Sequence, residues 1–330
     1  MANKKLIECV TNISSGDKAV VKQVVVAIEK SGGKVLDTFS GTSTNRSVVT
    51  IAAEVDTICQ AAFAIFASCS KLIDMRMHRG THPRIGAVDV CPFIPLHRAS
   101  MEDAKRCALN VAQRAWDELK IPSYLYAFST RTDSRKLLSA VRKGEYESIP
   151  SRIGNEIWTP DFGDLQANSK VGVSVIGARD FLIAYNINLT TSDVEIANKI
   201  AFAIRESGAP KSGQAGMFRD VSAIGWHLSE KNLAQISINI RDFRVSPIHR
   251  IFEACSTLAN KFGTSVTGSE LVGLIPQEAL ELAGKTTIPA SSNADELLAK
   301  GAEMLGLSEF EPFVAEDKIL EKRLHAVGLI

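Results

Sequence analysis

The sequence predicts an α/β protein, an α+β sandwich built as two ferredoxin-like βαββαβ subdomains with a ligand cleft between them. Three observations carry that prediction. Short apolar runs alternate with amphipathic stretches of helical period along most of the chain. The order strand, helix, strand, strand, helix, strand occurs twice. The segment "LIECVTNISSGD" that opens the first set is echoed by "LIAYNINLTTSD" in the second.

The first set begins with "LIECV" (Leu6–Val10) as a strand, followed by a Ser-Ser-Gly turn. "DKAVVKQVVVAIEKSGG" then reads as a helix with Val20, Val21, Val24, Val25 and Ile28 on one side, stopped by Gly32 and Gly33. "KVLDTFS" and "SVVTIAA" (Ser47–Ala53) are strands, "EVDTICQAAFAIFASCSKLID" a long helix, and "GAVDVCPFI" the closing strand. A middle region follows. "SMEDAKRCALNVAQRAWDELKIP" is an amphipathic helix capped by Ser100, "SYLYAF" a strand, and "SRKLLSAVRKGEYESI" a short helix with its exit. "PDFGDLQANSKVG" (Pro160–Gly172) is polar, aperiodic and long for a connection, the profile of a functional loop.

The second set starts at "FLIAYNINL" (Phe181–Leu189). "SDVEIANKIAFAIRESG" is a helix with Ser192 as its expected cap and Gly208 as its stop. "DVSAIGWHL" and "LAQISINIRDF" are strands joined by the tight turn "SEKN". "SPIHRIFEACSTLANKFG" is a helix opened by Pro247 at its first position and closed by Gly263, and "TSVTGSELVGL" ends the set as a strand. The expected boundaries are residues 1–180 and 181–296 for the two subdomains, with peripheral helices over 297–330.

Composition narrows the function classes. Lys and Arg total 38 against 37 Asp and Glu, without a long run of either sign, which disfavours a dedicated nucleic-acid or membrane-surface role. Six cysteines lie far apart and form no C-x-x-C pair, the pattern of buried reduced thiols. "MANKKLIECV" lacks the apolar stretch of a signal peptide, and the most apolar helical segment is interrupted by Gln60 and runs out at Lys71, short of a span. A cytoplasmic protein is the expectation.

Several motifs carry candidate chemistry. "AGKTT" resembles the end of a phosphate loop, but Ala279 stands where the early glycine is required and a helix precedes it; no G-x-G-x-x-G occurs either. His78 and His82 have the i, i+4 spacing of metal ligands, yet Gly80 and Pro83 oppose a helix there, so no metal is expected. The stretch "HRGTHPRIGAVDVCPFIP" instead places a polar cluster at the mouth of a core strand. Pro83 restricts His82 to extended geometry, and the near-neutral pKa of imidazole suits His82 to acid–base work. "STNRS" is a second polar connection, where Asn45 can make an Asx-type turn and Arg46 can receive a carboxylate. "GQAGMFRDVSAIGW" is a third, a glycine-spaced loop in which Arg219 can meet an anion.

"LIDMRMHRGTHPRIGAVDVCPFIPL" resembles the signature of the glutamate formiminotransferases, folate-dependent enzymes of histidine breakdown. "GTSTNRSVVT", "IPSYLYAF", "RKGEYESIP", "PDFG", "IGARDFLIAYNINL", "IGWHLSEKNLAQISINI" and "GSELVGLIP" follow in the family's order, so the likeness runs from about residue 6 to 285. The resemblance implies a two-subdomain, homodimeric protein that moves a formimino group from N-formimino-L-glutamate to tetrahydrofolate, a co-substrate, without metal. It implies His82 as the acid/base. It implies folate contacts along Gly163, Asp164, Leu165, Gln166, Ala167, Asn168, Ser169, Lys170, Val171 and Gly172. It places a second set along Gln214, Ala215, Gly216, Met217, Phe218, Arg219, Asp220, Val221, Ser222 and Ala223. From their placement alone Arg46, Arg84 and Lys170 are candidate cations for the two anionic substrates, with Asn45 beside Arg46.

The chain departs from the family pattern in places. Its first strand reads "ECVTNISSG" where the family has a proline and an acid, and Phe39 stands where the family often carries an aspartate, which leaves Asp37 or Asp89 to partner His82. The folate loop also lacks the family's aromatic and prolines. Alternatives are therefore a folate enzyme using formylglutamate or a 5-formylfolate, and a non-catalytic folate-binding paralogue. In animals the transferase is fused to a helical cyclodeaminase domain; the chain ends without room for one, so cyclisation of the product is not expected.

Overall fold

The computed structural model describes residues 4–42, 44–210 and 212–330, so Ser43 of the "STNRS" turn lies outside the described residues. The chain divides into two compact units, one formed by the chain through Asp180 together with Val327–Ile330, the other by Phe181–Ala326.

In the first unit the elements run β1 (Leu6–Ile13), α1 (Lys18–Lys30), β2 (Lys34–Gly41), β3 (Arg46–Glu54), α2 (Val55–Leu72), β4 (Val88–Pro95), α3 (Met101–Leu119), β5 (Ser123–Ala127), the one-turn helices α4 (Leu138–Val141) and α5 (Ile149–Arg152), and β6 (Ser174–Ala178). The sheet order β2-β3-β1-β4 is that of a ferredoxin-like sandwich, as expected, and β6 and β5 extend it with parallel strands. The sequence reading did not find β6. Its five residues are all buried, so no inside–outside alternation marks it, although it lies between β4 and β5.

Helices α1 to α3 cover one face of the sheet. Val24, Ile28, Ile58, Ile65, Phe66 and Val111 pack there against Ile7, Cys9, Ile51 and Phe93. Ser100 caps α3 as expected, in a full capping box with Asp103. Helix α2 falls within the long helix expected there, but its apolar stretch does not stop short of a span as the sequence suggests. Its 18 residues have a mean hydropathy of 1.2, enough by length and composition to cross a membrane. Here its apolar stripe from Val55 to Cys69 is buried in the unit's own core.

The second unit runs β7 (Ile183–Leu189), α6 (Val194–Ile204), β8 (Val221–Leu228), β9 (Leu233–Ile240), α7 (Ile248–Lys261), β10 (Val266–Leu271), α8 (Gln277–Gly284), α9 (Ala294–Met304), α10 (Ala315–Lys318) and α11 (Leu320–Ala326). Its sheet order, β10-β7-β9-β8, is again ferredoxin-like. Two caps differ from expectation. Asp193, rather than Ser192, caps α6 because its carboxylate accepts the Glu195 N–H at 2.9 Å. Pro247 is the N-cap of α7 instead of its first residue. The C-terminal helices are packed into this core, to which they give Leu298, Ala302, Leu305 and Ile319.

Candidate active site

The polar cluster ahead of β4 is held by backbone on three sides. Ala87 N–H donates to Val171 O at 2.8 Å, Val173 N–H to Ile85 O at 3.2 Å, and Met75 N–H to Lys170 O at 2.7 Å. Gly86 makes this possible, since a Cβ there would sit 2.2 Å from the Val173 carbonyl oxygen. Tyr146 N–H donates to Arg84 O at 2.9 Å and brings the segment after α4 alongside. Gly80 presses on the turn before β3, where a Cβ would meet Thr44 O at 2.4 Å.

The two histidines of this loop have different environments. His78 is buried; its Nε2 lies 2.9 Å from Asn45 O, and its Nδ1 accepts from Arg84 Nε at 3.2 Å. A carbonyl only accepts, so the proton is on Nε2 and both ring nitrogens are engaged. His82 is half-buried, and its Nδ1 lies 2.8 Å from Pro83 O. That carbonyl puts the proton on Nδ1 and leaves the lone pair of the neutral ring on Nε2. Burial, then the positive charges of Arg46 and Arg142, push the His82 pKa down to about 3.

The charges around His82 centre on Asp89, which is fully buried at the start of β4. In the β1–β4 ladder Asn12 pairs with Val90 and Ile13 with Val88, so Asp89 is the extra residue of a bulge and has no partner across the ladder. Its Oδ1 accepts the Ile85 N–H at 2.9 Å. Its Oδ2 meets Arg46 Nη1 at 2.6 Å and Arg142 Nη2 at 3.3 Å. Burial opposes the carboxylate charge, but Arg142, Arg46 and the Ile85 N–H outweigh it and hold the pKa of Asp89 below the ordinary range. Arg46 leaves the first position of β3, donates to Asn12 Oδ1 at 2.6 Å and reaches past β1 to β4; burial lowers its own pKa to about 10.

Three of the expected binding residues are committed elsewhere. Arg84 spends its guanidinium on Glu145 (2.8 Å), on both carboxylate oxygens of Glu147 (2.7 and 2.6 Å) and on His78. It positions the loop and has no arm left for a substrate anion. Lys170 turns its ammonium onto Ser70 O at 2.9 Å and Lys71 O at 3.1 Å, the carbonyl end of α2. Asn45, at a φ of 45°, ties the loops together by accepting the Gly16 N–H at 2.9 Å and donating to Arg79 O at 2.8 Å.

Within the loop 163–172, Leu165 and Val171 are buried, while Asp164, Gln166, Ala167 and Ser169 face outward. Gly163 and Gly172 have φ of 86° and 73°, and Asn168 O accepts from both Val171 and Gly172. The segment Gln214–Ala223 belongs to the second unit. Met217 and Phe218 donate backbone N–H groups to Ala203 O and Ile204 O at the end of α6, Asp220 pairs with Arg241, and Val221 and Ala223 are buried in β8. Gln214, Ala215, Met217, Arg219 and Ser222 are exposed.

On β2, Asp37 lies opposite Thr50 and Phe39 opposite Val48. The sequence reading missed Asn12, Arg142, Glu145 and Glu147. The last three stand in "VRKGEYESI", the end of the stretch expected as a short helix with its exit. Among the described residues no group of three His, Cys, Asp or Glu side chains is placed to hold a metal ion.

Residues 6–179 match the family model of the formiminotransferase domain's N-terminal subdomain, and residues 184–325 match the model of the formiminotransferase domain. A glutamate formimidoyltransferase of Streptococcus pyogenes is 40% identical over 278 residues, covering 84% of this chain and 91% of that one. Another, from Thermoplasma acidophilum, is 42% identical over 83% of this chain and 89% of its own. The mouse formimidoyltransferase-cyclodeaminase is 41% identical over 96% of this chain, which spans 59% of that longer protein.

Proposed function

The chain belongs to the formiminotransferase domain family, and from that premise we propose that it transfers the formimino group of N-formimino-L-glutamate to tetrahydrofolate. The products are 5-formiminotetrahydrofolate and glutamate. The observation that carries this reading is His82, a neutral imidazole with its lone pair on Nε2, set beside the Arg46–Asp89–Arg142 cluster. The tetrahydrofolate nitrogen attacks the formimino carbon, a C–N bond forms, and the proton released by that nitrogen passes to His82 Nε2. The imidazolium then gives its proton to the glutamate nitrogen as the original C–N bond breaks. The ring ends as it began, so one side chain serves both steps.

For folate contact we propose the outward residues of the loop 163–172 and the exposed residues of Gln214–Ala223, following the family likeness. Arg46 is held by Asp89 and Asn12, and its proposed part is to set the charge around His82.

The test is a transfer assay with both substrates that follows released glutamate, with His82→Ala in parallel. The expected loss in the variant is about a hundred- to ten-thousandfold. Tetrahydrofolate binding without glutamate release in the unaltered protein would overturn the donor assignment, and formylglutamate and 5-formyltetrahydrofolate would be assayed next. Absence of transfer from every donor would leave a folate-binding protein without turnover.

A further inference from the structure

We propose that Arg142 is a positioning residue for His82, holding its ring through the Pro83 carbonyl while anchored on Asp89; this rests on reading His82 as the acid/base. The Pro83 carbonyl receives two donors, His82 Nδ1 at 2.8 Å and Arg142 Nη1 at 3.3 Å. The other arm of Arg142 lies 3.3 Å from Asp89 Oδ2, and Asp89 Oδ1 holds the Ile85 N–H at 2.9 Å. One buried carboxylate thus fixes both ends of the stretch from Pro83 to Ile85, one end directly and the other through Arg142. Turning the Pro83 peptide would break both hydrogen bonds to its oxygen, from Arg142 Nη1 and His82 Nδ1, so the oxygen stays aimed at the ring. The ring tautomer follows, with Nε2 bearing the lone pair. A guanidinium suits this task because its planar fork serves two acceptors at fixed separation, which an ammonium does not.

The cluster also acts on charge. The groups around the ring are Arg46 from β3, Arg142 after α4 and Asp89 from β4, while Arg84 and His78 on its own loop are paired with each other, and Arg84 with Glu145 and Glu147. Among the described groups, an imidazolium at His82 meets the positive charges of Arg46 and Arg142 against the carboxylate of Asp89, an arrangement that favours handing the proton on.

The experiment uses the full chain with 15N-labelled histidine, in unaltered, R142M and R142K forms. Long-range proton–nitrogen spectra at pH 7 report the His82 tautomer, and kcat and KM are measured alongside. The expected result is the Nδ1–H form in the unaltered protein and a population of the Nε2–H form in both variants. We expect kcat to fall about ten- to hundredfold, the scale of a misplaced reacting group, with either KM changed less than about twofold. The acid limb of the rate profile moves upward in R142M, which loses the charge, and not in R142K, which keeps it. Retention of the Nδ1–H form in both variants, with kcat within about twofold, overturns the proposal. If R142M does not fold, R142K decides it. If the unaltered protein transfers no formimino group, the functional reading fails, and the tautomer comparison still decides the role of Arg142.

Discussion

His78 and His82 stand four residues apart in one loop and carry their protons on opposite nitrogens, because each ring faces a different carbonyl. His78 spends both nitrogens on Asn45 and Arg84 and is a joint between loops. His82 carries its proton on Nδ1, toward the Pro83 carbonyl, with its lone pair on Nε2, and is the one of the two proposed to move a proton. Its depressed pKa has a kinetic consequence. A histidine held near a pKa of about 3 remains a base throughout neutrality instead of gaining its proton near the ordinary 6.5. The acid limb of kcat/KM, which reports the free enzyme, should therefore lie well below pH 6 for His82. A rate profile from pH 4.5 to 8 checks this, with substrate ionisation measured separately. A limb at 6.5 assigned to His82 by its ring resonances would show that neither burial nor the charges of Arg46 and Arg142 depress it.

At the scale of elements, the site depends on how loops are pinned to strand and helix ends. Lys170 is the clearest case, since its ammonium meets the last carbonyls of α2 and its own carbonyl holds Met75, three residues before His78. Lys170→Met should lower stability by about 0.3–1 kcal/mol, the worth of a cation at a helix C-terminus, and leave the KM for tetrahydrofolate unchanged. Chemical denaturation and steady-state kinetics check the two halves; a large rise in KM with stability intact would return Lys170 to the folate contacts. The same element shows why the sequence could be read only so far. Strands β1 to β4 and β7 to β10 announce themselves by apolar runs between turns, and α3 by Ser100 and Asp103, because these signals are local. A residue such as Lys170 offers a charge in a polar loop and nothing about which helix end it will meet. Asp89 was noticed as an acid in a core strand, but the bulge that sends it toward two arginines is a property of register between strands. Arg142, 53 residues later in sequence than Asp89, has no local mark of that partnership.

Across the whole molecule the unusual ionisations are unevenly shared between two units that both contain a ferredoxin-like four-stranded core. The first unit holds Asp89, Asp103 and Glu147, each with a lowered pKa, and His78 and His82, lowered mainly by burial. The second unit holds His249, also lowered by burial, and the exposed Glu316. Both kinds of shift act in one direction. A histidine with a depressed folded pKa leaves the unfolded chain binding the extra proton, so stability falls as pH drops from the ordinary 6.5, and for His82 continues to fall to about 3. A carboxylate with a depressed folded pKa contributes stability that is complete above its ordinary 3.8 and is lost as pH falls through the lower folded value. When Asp89 takes a proton, Arg46 and Arg142 lose their shared counter-charge in a buried setting, which is costly. Acid should therefore loosen the first unit before the second. Hydrogen exchange in steps from pH 7 to pH 2, corrected for the intrinsic rate, should show β1, β3 and β4 losing protection while β7 and β9 retain it. Simultaneous loss in both sheets, or earlier loss in the second, would mean that the Asp89 cluster does not set the acid limit of the fold.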